Sequence, residues 1–198
     1  MVPSDEELVG AFQRGEWSAF DLLVERWERK IRGAIFRILG SEEEARDLCQ
    51  EAFLKAFRSL GSFKGEARFS SWLYQIALNL CRDRMRRRKG RTLVSLDDLD
   101  EGGEAANRRA PPPSAFDLVL ARDLSQAVAS AVAALPEDQR EVIVLKEYQG
   151  LTFLEIADVL GIPISTVKTR LYRGLVQLRE RLERKGIREA AAIPAAMP

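Results

Sequence analysis

The sequence predicts an all-α protein built from two helical domains that a flexible linker joins. Three observations predict this architecture. Apolar residues recur at three- and four-residue intervals in both halves, capping motifs and glycines mark the ends of these stretches, and neither half shows the alternating apolar pattern of strands. We expect an amino-terminal domain over residues 1–91, a linker over 92–115, a carboxy-terminal domain over 116–188 and a tail over 189–198.

Capping patterns and glycines set the expected helix boundaries. Ser4-x-x-Glu7, Ser41-x-x-Glu44 and Thr152-x-x-Glu155 each have the form of a capping box, and Ser18-x-x-Asp21 is a weaker version. The predicted helices cover 5–14, 18–38, 42–60, 70–89, 116–134, 137–148, 152–160 and 164–185. Glycines near their carboxy ends, where a positive φ is often needed, are Gly15, Gly40, Gly61, Gly150 and Gly161. On the fourth helix, the stripe predicted to face the core is Leu73, Ile76, Ala77 and Leu80.

The segment from Leu93 to Ser114 separates the two helical halves. It contains the acidic stretch DDLDEGGE, three consecutive prolines at 111–113 and few large apolar residues. Such a composition cannot bury enough apolar surface to offset the entropy lost on ordering, and consecutive prolines favour extended polyproline II over helix. We therefore expect a flexible linker here.

Composition excludes several classes of function. The chain has no histidine, which removes histidine-based acid–base catalysis, catalytic triads and Cys/His zinc sites. Its two cysteines, Cys49 and Cys81, are expected to be reduced and buried. No apolar run approaches the roughly 20 residues that cross a bilayer, and the first residues are acidic and lack a signal-peptide pattern. We expect a soluble, cytoplasmic protein with no catalytic residue, no metal site and no cofactor.

Charge is segregated along the chain although its total is nearly balanced. The 31 basic and 30 acidic residues give a net charge of +1. Residues 82–91 nevertheless carry a net +6 and residues 164–198 a net +5, whereas residues 92–104 carry −5 and residues 136–163 carry −4. Two separate basic patches on an otherwise acidic protein are typical of a polyanion-binding protein, although solvated helix faces would explain each patch taken alone.

Residues 152–175 have the pattern of a helix-turn-helix. Two short helices meet at Gly161, and Ala157 is small enough to let the second helix cross close by. The residues expected to fill the space between them are Ile156, Leu160, Ile162, Val167 and Leu171. The second helix carries a polar and basic face suited to the major groove, formed by Ser165, Thr166, Lys168, Thr169, Tyr172 and Arg173. An ordinary αα-corner is the alternative, and this polar face argues against it.

Motifs in the amino-terminal half resemble a known family. They are Asp47-Leu48-Cys49-Gln50-Glu51-Ala52-Phe53, Phe63-Lys64-Gly65, the stretch from Phe69 through Trp72 to Asn79, and Asp83-Arg84-Met85-Arg86-Arg87. These look like regions 2.2 to 2.4 of the bacterial extracytoplasmic-function (group IV) sigma factors of RNA polymerase. Residues 136–178 resemble region 4 of the same family. The resemblance covers roughly residues 4–185, in the family's order and with its two-domain layout, and implies a region 2 bundle followed by a region 4 helix-turn-helix.

The resemblance implies a polymerase-docking face on the third helix. Asp47, Gln50, Glu51 and Leu54 recur at three- and four-residue intervals and share one face, whereas Leu48, Ala52 and Phe53 lean to the other. In the family, this polar face docks on the clamp helices of the β′ subunit. An acidic face suits a basic protein partner and would repel DNA. The core polymerase, through β′ and the β subunit, is therefore an expected partner.

The resemblance also implies contacts with the minus-ten promoter element. Aromatic rings beside cations suit single-stranded DNA, because rings stack on unpaired bases while cations follow the backbone. In the family, the loop here at about 61–68 captures a flipped base, and Phe63 and Asn79 match the positions of its pocket. The residues expected to contact the minus-ten element are Phe63, Lys64, Trp72, Asn79, Arg82, Asp83 and Arg86. Trp72 and Phe69 are equally well explained as core aromatics.

The function expected from these features is promoter-specific initiation by a sigma factor. The resemblance assigns the minus-thirty-five element to the recognition helix and names an anti-sigma factor as a further partner besides polymerase and promoter DNA. Two other classes remain as alternatives. A stand-alone helix-turn-helix regulator would need a dimer, and no dimerisation helix is evident; a recombinase would need a nucleophile beside an arginine cluster, which Tyr148 and Tyr172 lack.

Overall fold

The computed structural model describes residues 2–92 and 125–187, and every regular element in these ranges is helical. The predicted linker beyond residue 92, residues 116–124 of the predicted carboxy-terminal domain and the tail lie outside the described residues. The amino-terminal helices are α1 (Asp5–Gln13), α2 (Ser18–Leu39), α3 (Glu42–Leu60) and α4 (Phe69–Thr92). The carboxy-terminal helices are α5 (125–133), α6 (Glu137–Ile143), α7 (Phe153–Leu160) and α8 (Ile164–Arg184). The predicted all-α class is confirmed.

The predicted boundaries agree closely with these helices, with two informative differences. The helix expected at 137–148 changes its winding at its end, because Val144–Tyr148 forms a π-helical segment in which the Gln149 N–H donates to the Val144 carbonyl. The weak capping pattern at Ser18 is wrong. Ser18 lies inside α2, whose cap position is Trp17 and has no side-chain cap bond.

Local capping chemistry fixes three helix starts. Ser4 with Glu7, and Thr152 with Glu155, form both bonds of a capping box. At α3 only one half forms: the Ser41 hydroxyl accepts from the Glu44 N–H. The Glu44 carboxylate instead pairs with Arg84, at 3.3 Å, and with Arg88. A tertiary ion-pair cluster between α3 and α4 therefore replaces the local bond that the sequence predicted.

The amino-terminal core lies between α2, α3 and α4. Side chains from all three helices are completely or almost completely buried, including Ile31, Ile35, Ala52, Leu73 and Tyr74. The turn between α2 and α3 is made by Gly40, whose φ of +76° places it in the left-handed region that favours glycine. Gly61 differs from the expectation, since its φ of −61° is an ordinary helical value. The fourth-helix stripe is confirmed as core except for Ile76, which is half-buried.

The two cysteines are free and buried within this core, as expected. Burial raises the pKa of the Cys49 thiol to about 11 and that of the Cys81 thiol to about 12, because an apolar environment penalises the thiolate. Both thiols therefore remain protonated at neutral pH. They serve as small apolar side chains and are poor nucleophiles.

The carboxy-terminal domain is organised around α8, which packs on both α6 and α7. Gly174 lies in the middle of α8 and is buried against α6. A Cβ atom at this position would lie 2.7 Å from the Ile143 Cδ1 atom and 3.3 Å from the Gln139 Cβ atom. Gly174 thus allows the close approach of two helices, which explains a residue that helix propensity disfavours.

Gly174→Ala is expected to destabilise the protein by about 1–3 kcal/mol, because Ile143 is itself fully buried and has no free space to move into. Helix propensity alone predicts the opposite sign, a gain of about 1 kcal/mol. Gly10→Ala on α1 is the matched control, since a Cβ there meets only the flexible end of Arg14. Urea unfolding followed by circular dichroism distinguishes the two. A Gly174→Ala variant as stable as Gly10→Ala would contradict the close-packing account.

Candidate polymerase and nucleic-acid interfaces

The outer face of α3 presents the four residues predicted for polymerase docking. Asp47, Gln50, Glu51 and Leu54 are all exposed, and Leu54 is exposed to 57%. Their intervening neighbours Leu48, Ala52 and Phe53 are buried in the core, as expected. Glu51 pairs with Lys55 one turn further along the helix, at 3.2 Å. The face is acidic with one large apolar side chain at its end.

An apolar groove runs beside this face, between α2 and α3. It has a volume of about 640 Å³, and its lining includes Phe20, Val24, Cys49, Phe53, Leu54 and Phe57. Asp21 and Glu28 line it too, as do Arg32 and Arg46. Near it, Trp17 and Phe57 are exposed to 62% and 42%, and their rings lie 6.1 Å apart. Sequence periodicity did not single out Trp17 or Phe57. Exposed aromatics beside a groove are typical of a protein-binding surface.

The loop between α3 and α4 is held by aromatic packing and by one amide. The Phe63 ring lies 4.9 Å from the Trp72 ring, and Trp72 lies 5.9 Å from Phe69. The Gln13 Nε2 atom of α1 donates to the Leu60 carbonyl at 3.1 Å and to the Phe63 carbonyl at 2.8 Å. Sequence reasoning missed Gln13, because only the tertiary fold brings α1 to this loop. The loop is thereby held with Lys64 exposed at its tip.

The predicted minus-ten residues do not all meet in one place. Phe63 and Lys64 line a groove between the loop and α1, but Asn79 is absent from its lining. Asn79 is exposed on the same side of α4 as Trp72, and seven residues of helix place it about 10 Å further along. The sequence left Trp72 open as either a core aromatic or a DNA contact, and in the structure its side chain is half-buried. These residues therefore lie along an extended surface that begins at Phe63 in the loop and continues along α4 to Asn79.

The basic run at the end of α4 is heavily paired. Arg82 donates from Nε and Nη2 to the two carboxylate oxygens of Glu141, at 2.8 and 2.7 Å. This bond raises the pKa of Arg82, which burial alone would lower. Asp83 lies 3.4 Å from Arg86, and both remain largely exposed. Arg86 and Asp83 are thus accessible, whereas Arg82 is engaged with the other domain.

The helix-turn-helix has the predicted geometry. Gly161 closes α7 with a φ of +66°, and its N–H donates to the Ala157 carbonyl. Of the residues expected between the helices, Ile162 is half-buried and the others are buried: Ile156, Leu160, Val167 and Leu171. The capping bonds to Thr152 lower the pKa of Glu155, with Arg68 adding to the effect, so this carboxylate is charged at neutral pH.

The outer face of α8 presents the predicted recognition residues. Ser165, Lys168, Thr169 and Arg173 are exposed, and Thr166 and Tyr172 are half-buried. The Thr169 hydroxyl donates to the Ser165 carbonyl at 2.9 Å, which leaves its oxygen free to accept. The Lys168 ammonium lies 5.7 Å from the centre of the Phe153 ring. This face combines donors and acceptors in the manner of a helix that reads base edges.

Other kinds of site are not seen in the described parts of the chain. Within residues 2–92 and 125–187, no group of His, Cys, Asp and Glu side chains is arranged to hold a metal ion. None of the helices described there has the length and apolar composition needed to cross a membrane.

Comparison with known families gives the same two-part division. Residues 23–91 match the model for Sigma-70 region 2, and residues 125–178 match the model for Sigma-70, region 4. The chain is 38% identical over 174 residues to the RNA polymerase sigma-H factor of Pseudomonas aeruginosa, covering 85% of this chain and 89% of that relative. The chain belongs to the sigma factors of the extracytoplasmic-function family.

Further relatives agree with this assignment. The ECF RNA polymerase sigma factor SigW of Bacillus subtilis is 36% identical over 172 residues, covering 86% of this chain and 92% of SigW. The ECF RNA polymerase sigma-E factor of Escherichia coli K12 is 34% identical over 188 residues, covering 92% of this chain and 94% of sigma-E. As a sigma factor, the protein binds core RNA polymerase and directs promoter-specific initiation of transcription, and the predicted family is confirmed.

Two solved structures are similar over both domains. One is CnrH in complex with the cytosolic domain of CnrY, with a TM-score of 0.67, 29% identity and coverage of 92% of this chain and 99% of that one. The other is the sigma factor RpoE in complex with the anti-sigma factor NepR from Bartonella quintana, with a TM-score of 0.70, 24% identity and coverage of 83% and 96%. The second likeness shows the fold alone.

Lys168→Ala and Arg173→Ala are each expected to cost about 1–3 kcal/mol of promoter affinity at the base that the side chain contacts, and to relax sequence preference there. Holoenzyme binding to a panel of promoters with single base changes measures this. Arg184→Ala, at the far end of α8, is the control and should weaken every promoter equally. If Lys168→Ala or Arg173→Ala also weakened all promoters equally, that residue would be a phosphate contact only.

Proposed function

We propose that the two domains divide promoter recognition between them. The carboxy-terminal domain reads the minus-thirty-five element through Ser165, Thr166, Lys168, Thr169, Tyr172 and Arg173. The observation that carries this proposal is the separation of faces on α8. Val167, Leu171 and Leu175 are buried in the domain, while Ser165, Lys168, Thr169 and Arg173 are exposed. Other basic residues of this helix, such as Arg179 and Arg184, contact phosphates or solvent.

The amino-terminal domain, we propose, reads and helps melt the minus-ten element. Phe63 and Trp72 supply rings for stacking, Lys64, Arg82 and Arg86 supply cations, and Asn79 and Asp83 supply hydrogen-bonding groups. The position of Gln13 supports this role for the loop, because its amide donates to the Leu60 and Phe63 carbonyls and so holds the start of the loop in place. Since Asn79 lies along α4 and not in the groove of Phe63, we propose that the two residues contact different nucleotides.

Polymerase docking is assigned to the outer face of α3. Asp47, Gln50, Glu51 and Leu54 are exposed, and an acidic face with one apolar side chain suits a basic coiled coil such as the β′ clamp helices. The carboxy-terminal domain would contact the β subunit. In this role the protein performs no covalent chemistry of its own and acts in the cytoplasm, where the polymerase lies.

Control by an anti-sigma factor is part of the proposal. Of the similar structures, one is the sigma factor RpoE bound to the anti-sigma factor NepR, and the other is CnrH bound to the cytosolic domain of CnrY. This chain offers exposed apolar residues that a bound protein would bury, among them Trp17, Leu54 and Phe57. An anti-sigma factor that covered them would also cover part of the polymerase-docking face.

Asn79→Ala is expected to remove discrimination at one minus-ten base, by about 1–3 kcal/mol, while the holoenzyme assembles normally. The fold should be unaffected, because exposed side chains usually contribute less than about 0.5 kcal/mol to stability. Promoters substituted at each minus-ten position measure the effect. Arg87→Ala, also exposed on α4, should weaken binding to all of them alike. Equal behaviour of the two variants would remove Asn79 from the reading surface.

The double substitution Asp47→Lys and Glu51→Lys is expected to abolish binding to core polymerase, since like charges placed opposite each other at an interface cost several kcal/mol. Glu25→Lys with Glu180→Lys makes the same change in net charge at exposed positions on α2 and α8, outside the lining of the groove, and should bind normally. Polymerase pull-down and promoter-directed transcription measure both. Wild-type transcription from the first variant would show that the docking assignment is wrong.

A further inference from the structure

Among the residues that the structure describes, three ion pairs of the same polarity cross the seam between the two domains. In each pair the cation belongs to the amino-terminal domain and the carboxylate to the carboxy-terminal domain. The pairs are Arg68–Glu155 at 2.8 Å, Arg82–Glu141 at 2.7 Å and Lys89–Glu137 at 2.8 Å. The three cations are separated by 14 and 7 residues, and multiples of seven keep side chains on nearly the same face of a helix. Arg68 lies immediately before α4 and the other two cations lie on it, so the three follow one line along this helix, which we call the cationic row.

The central pair is the most buried of the three. Glu141 is only 3% exposed, and both of its carboxylate oxygens accept from the Arg82 guanidinium. A buried carboxylate costs several kcal/mol unless it is paired and hydrogen-bonded, so Glu141 depends on Arg82 in this arrangement. Further bonds cross the same seam. The Tyr74 hydroxyl donates to the Gln149 Oε1 atom at 2.7 Å, and Arg140 Nη1 donates to the Ile38 carbonyl at 2.6 Å.

The chemistry of the central pair matches that of a nucleic-acid contact. Guanidinium groups make the same two-pronged bond with a carboxylate as with a phosphate. The carboxylates come from residues 136–163, which carry a net −4, and Arg82 begins the run at 82–91, which carries a net +6. The acidic face of the carboxy-terminal domain therefore occupies Arg82 as a DNA phosphate would.

We infer that the cationic row is a shared surface, which binds Glu137, Glu141 and Glu155 of this chain in the closed form and single-stranded DNA in the open form. The inference rests on the proposed function in one respect, namely that α4 binds DNA. Its consequence is self-inhibition, because DNA must displace the carboxy-terminal domain from the row. The apparent affinity for DNA is then reduced by the fraction of molecules that are open.

Closure of the two domains can be measured without DNA or polymerase. Cysteines introduced at the exposed positions Arg58 and Glu180 carry a donor and an acceptor dye, and the buried native thiols do not compete for the labels. Glu141→Gln removes the charge of the central carboxylate and should lower the transfer efficiency. Glu147→Gln makes the same change at an exposed position nearby and should leave it unchanged. Equal efficiency in Glu141→Gln and wild type would overturn the inference.

The shared surface makes a second prediction that a purely structural ion pair does not. Glu141→Gln and Arg82→Gln both break the pair and should both open the chain, but they should change the affinity for DNA in opposite directions. With a labelled single-stranded oligonucleotide of about 20 nucleotides at low salt, Glu141→Gln should bind at least about threefold more tightly than wild type. Arg82→Gln should bind more weakly than wild type, because a phosphate contact is lost. Shifts in the same direction would overturn the inference.

If a substitution at the buried central pair unfolds the protein, the more exposed pair of Lys89 and Glu137 provides the same test. Both Glu137→Gln and Lys89→Gln should open the chain and retain the wild-type circular dichroism spectrum. Glu137→Gln should strengthen DNA binding, whereas Lys89→Gln should weaken it. If no variant bound the oligonucleotide, the shared-surface inference would fail. Polymerase docking through α3 would still be judged separately, since the polymerase pull-down of Asp47→Lys with Glu51→Lys does not involve the row.

Discussion

The burial of α4 along two sides is the constraint on which the rest of this structure depends. One side of the helix packs into the amino-terminal core through Leu73, Ala77 and other apolar side chains. Another side faces the carboxy-terminal domain, where Tyr74 and Arg82 bond across the seam. What remains exposed is a narrow surface that runs from Trp72 past Asn79 to Arg86. The surface that we propose for nucleic-acid binding in this domain is therefore the part of α4 that the two packing interfaces leave uncovered.

Electrostatics in this sigma factor links the domains as much as it links the protein to DNA. A net charge of +1 hides basic and acidic segments that are complementary to each other. Glu141 lies in a nearly dry environment, where an unpaired charge is expensive, whereas the Arg82 side chain remains 34% exposed. The carboxylate therefore depends on Arg82, while Arg82 can still be reached from solvent. In the inferred closed form the partner of Arg82 comes from the same chain.

The helices on the opposite side of the amino-terminal domain present a different kind of surface. The acidic face of α3 adjoins an apolar groove against α2, and Trp17 and Phe57 lie exposed near it. Burial of apolar area contributes affinity that does not depend on orientation, while charged groups set the orientation of the partner and the rate of association. A surface that combines both suits a protein partner that must bind tightly and in a single orientation. It lies on helices other than the one that carries the cationic row, so the proposed polymerase docking and the inferred domain closure involve separate residues.

The sequence by itself determined the helices, the helix-turn-helix and the family, because their signals are local. A capping box such as that of Thr152 spans four residues, and a buried stripe repeats every three or four. The tertiary structure alone decided the rest. Arg82 pairs with a carboxylate 59 residues away, and Glu44 forms ion pairs with α4 instead of completing its capping box. Gly174 is required by the close approach of a neighbouring helix, and Asn79 lies outside the groove of Phe63. The physical reason is that these contacts join residues far apart along the chain. A local pattern indicates which face of a helix is apolar or charged, but only the packing of whole helices determines which residues that face contacts.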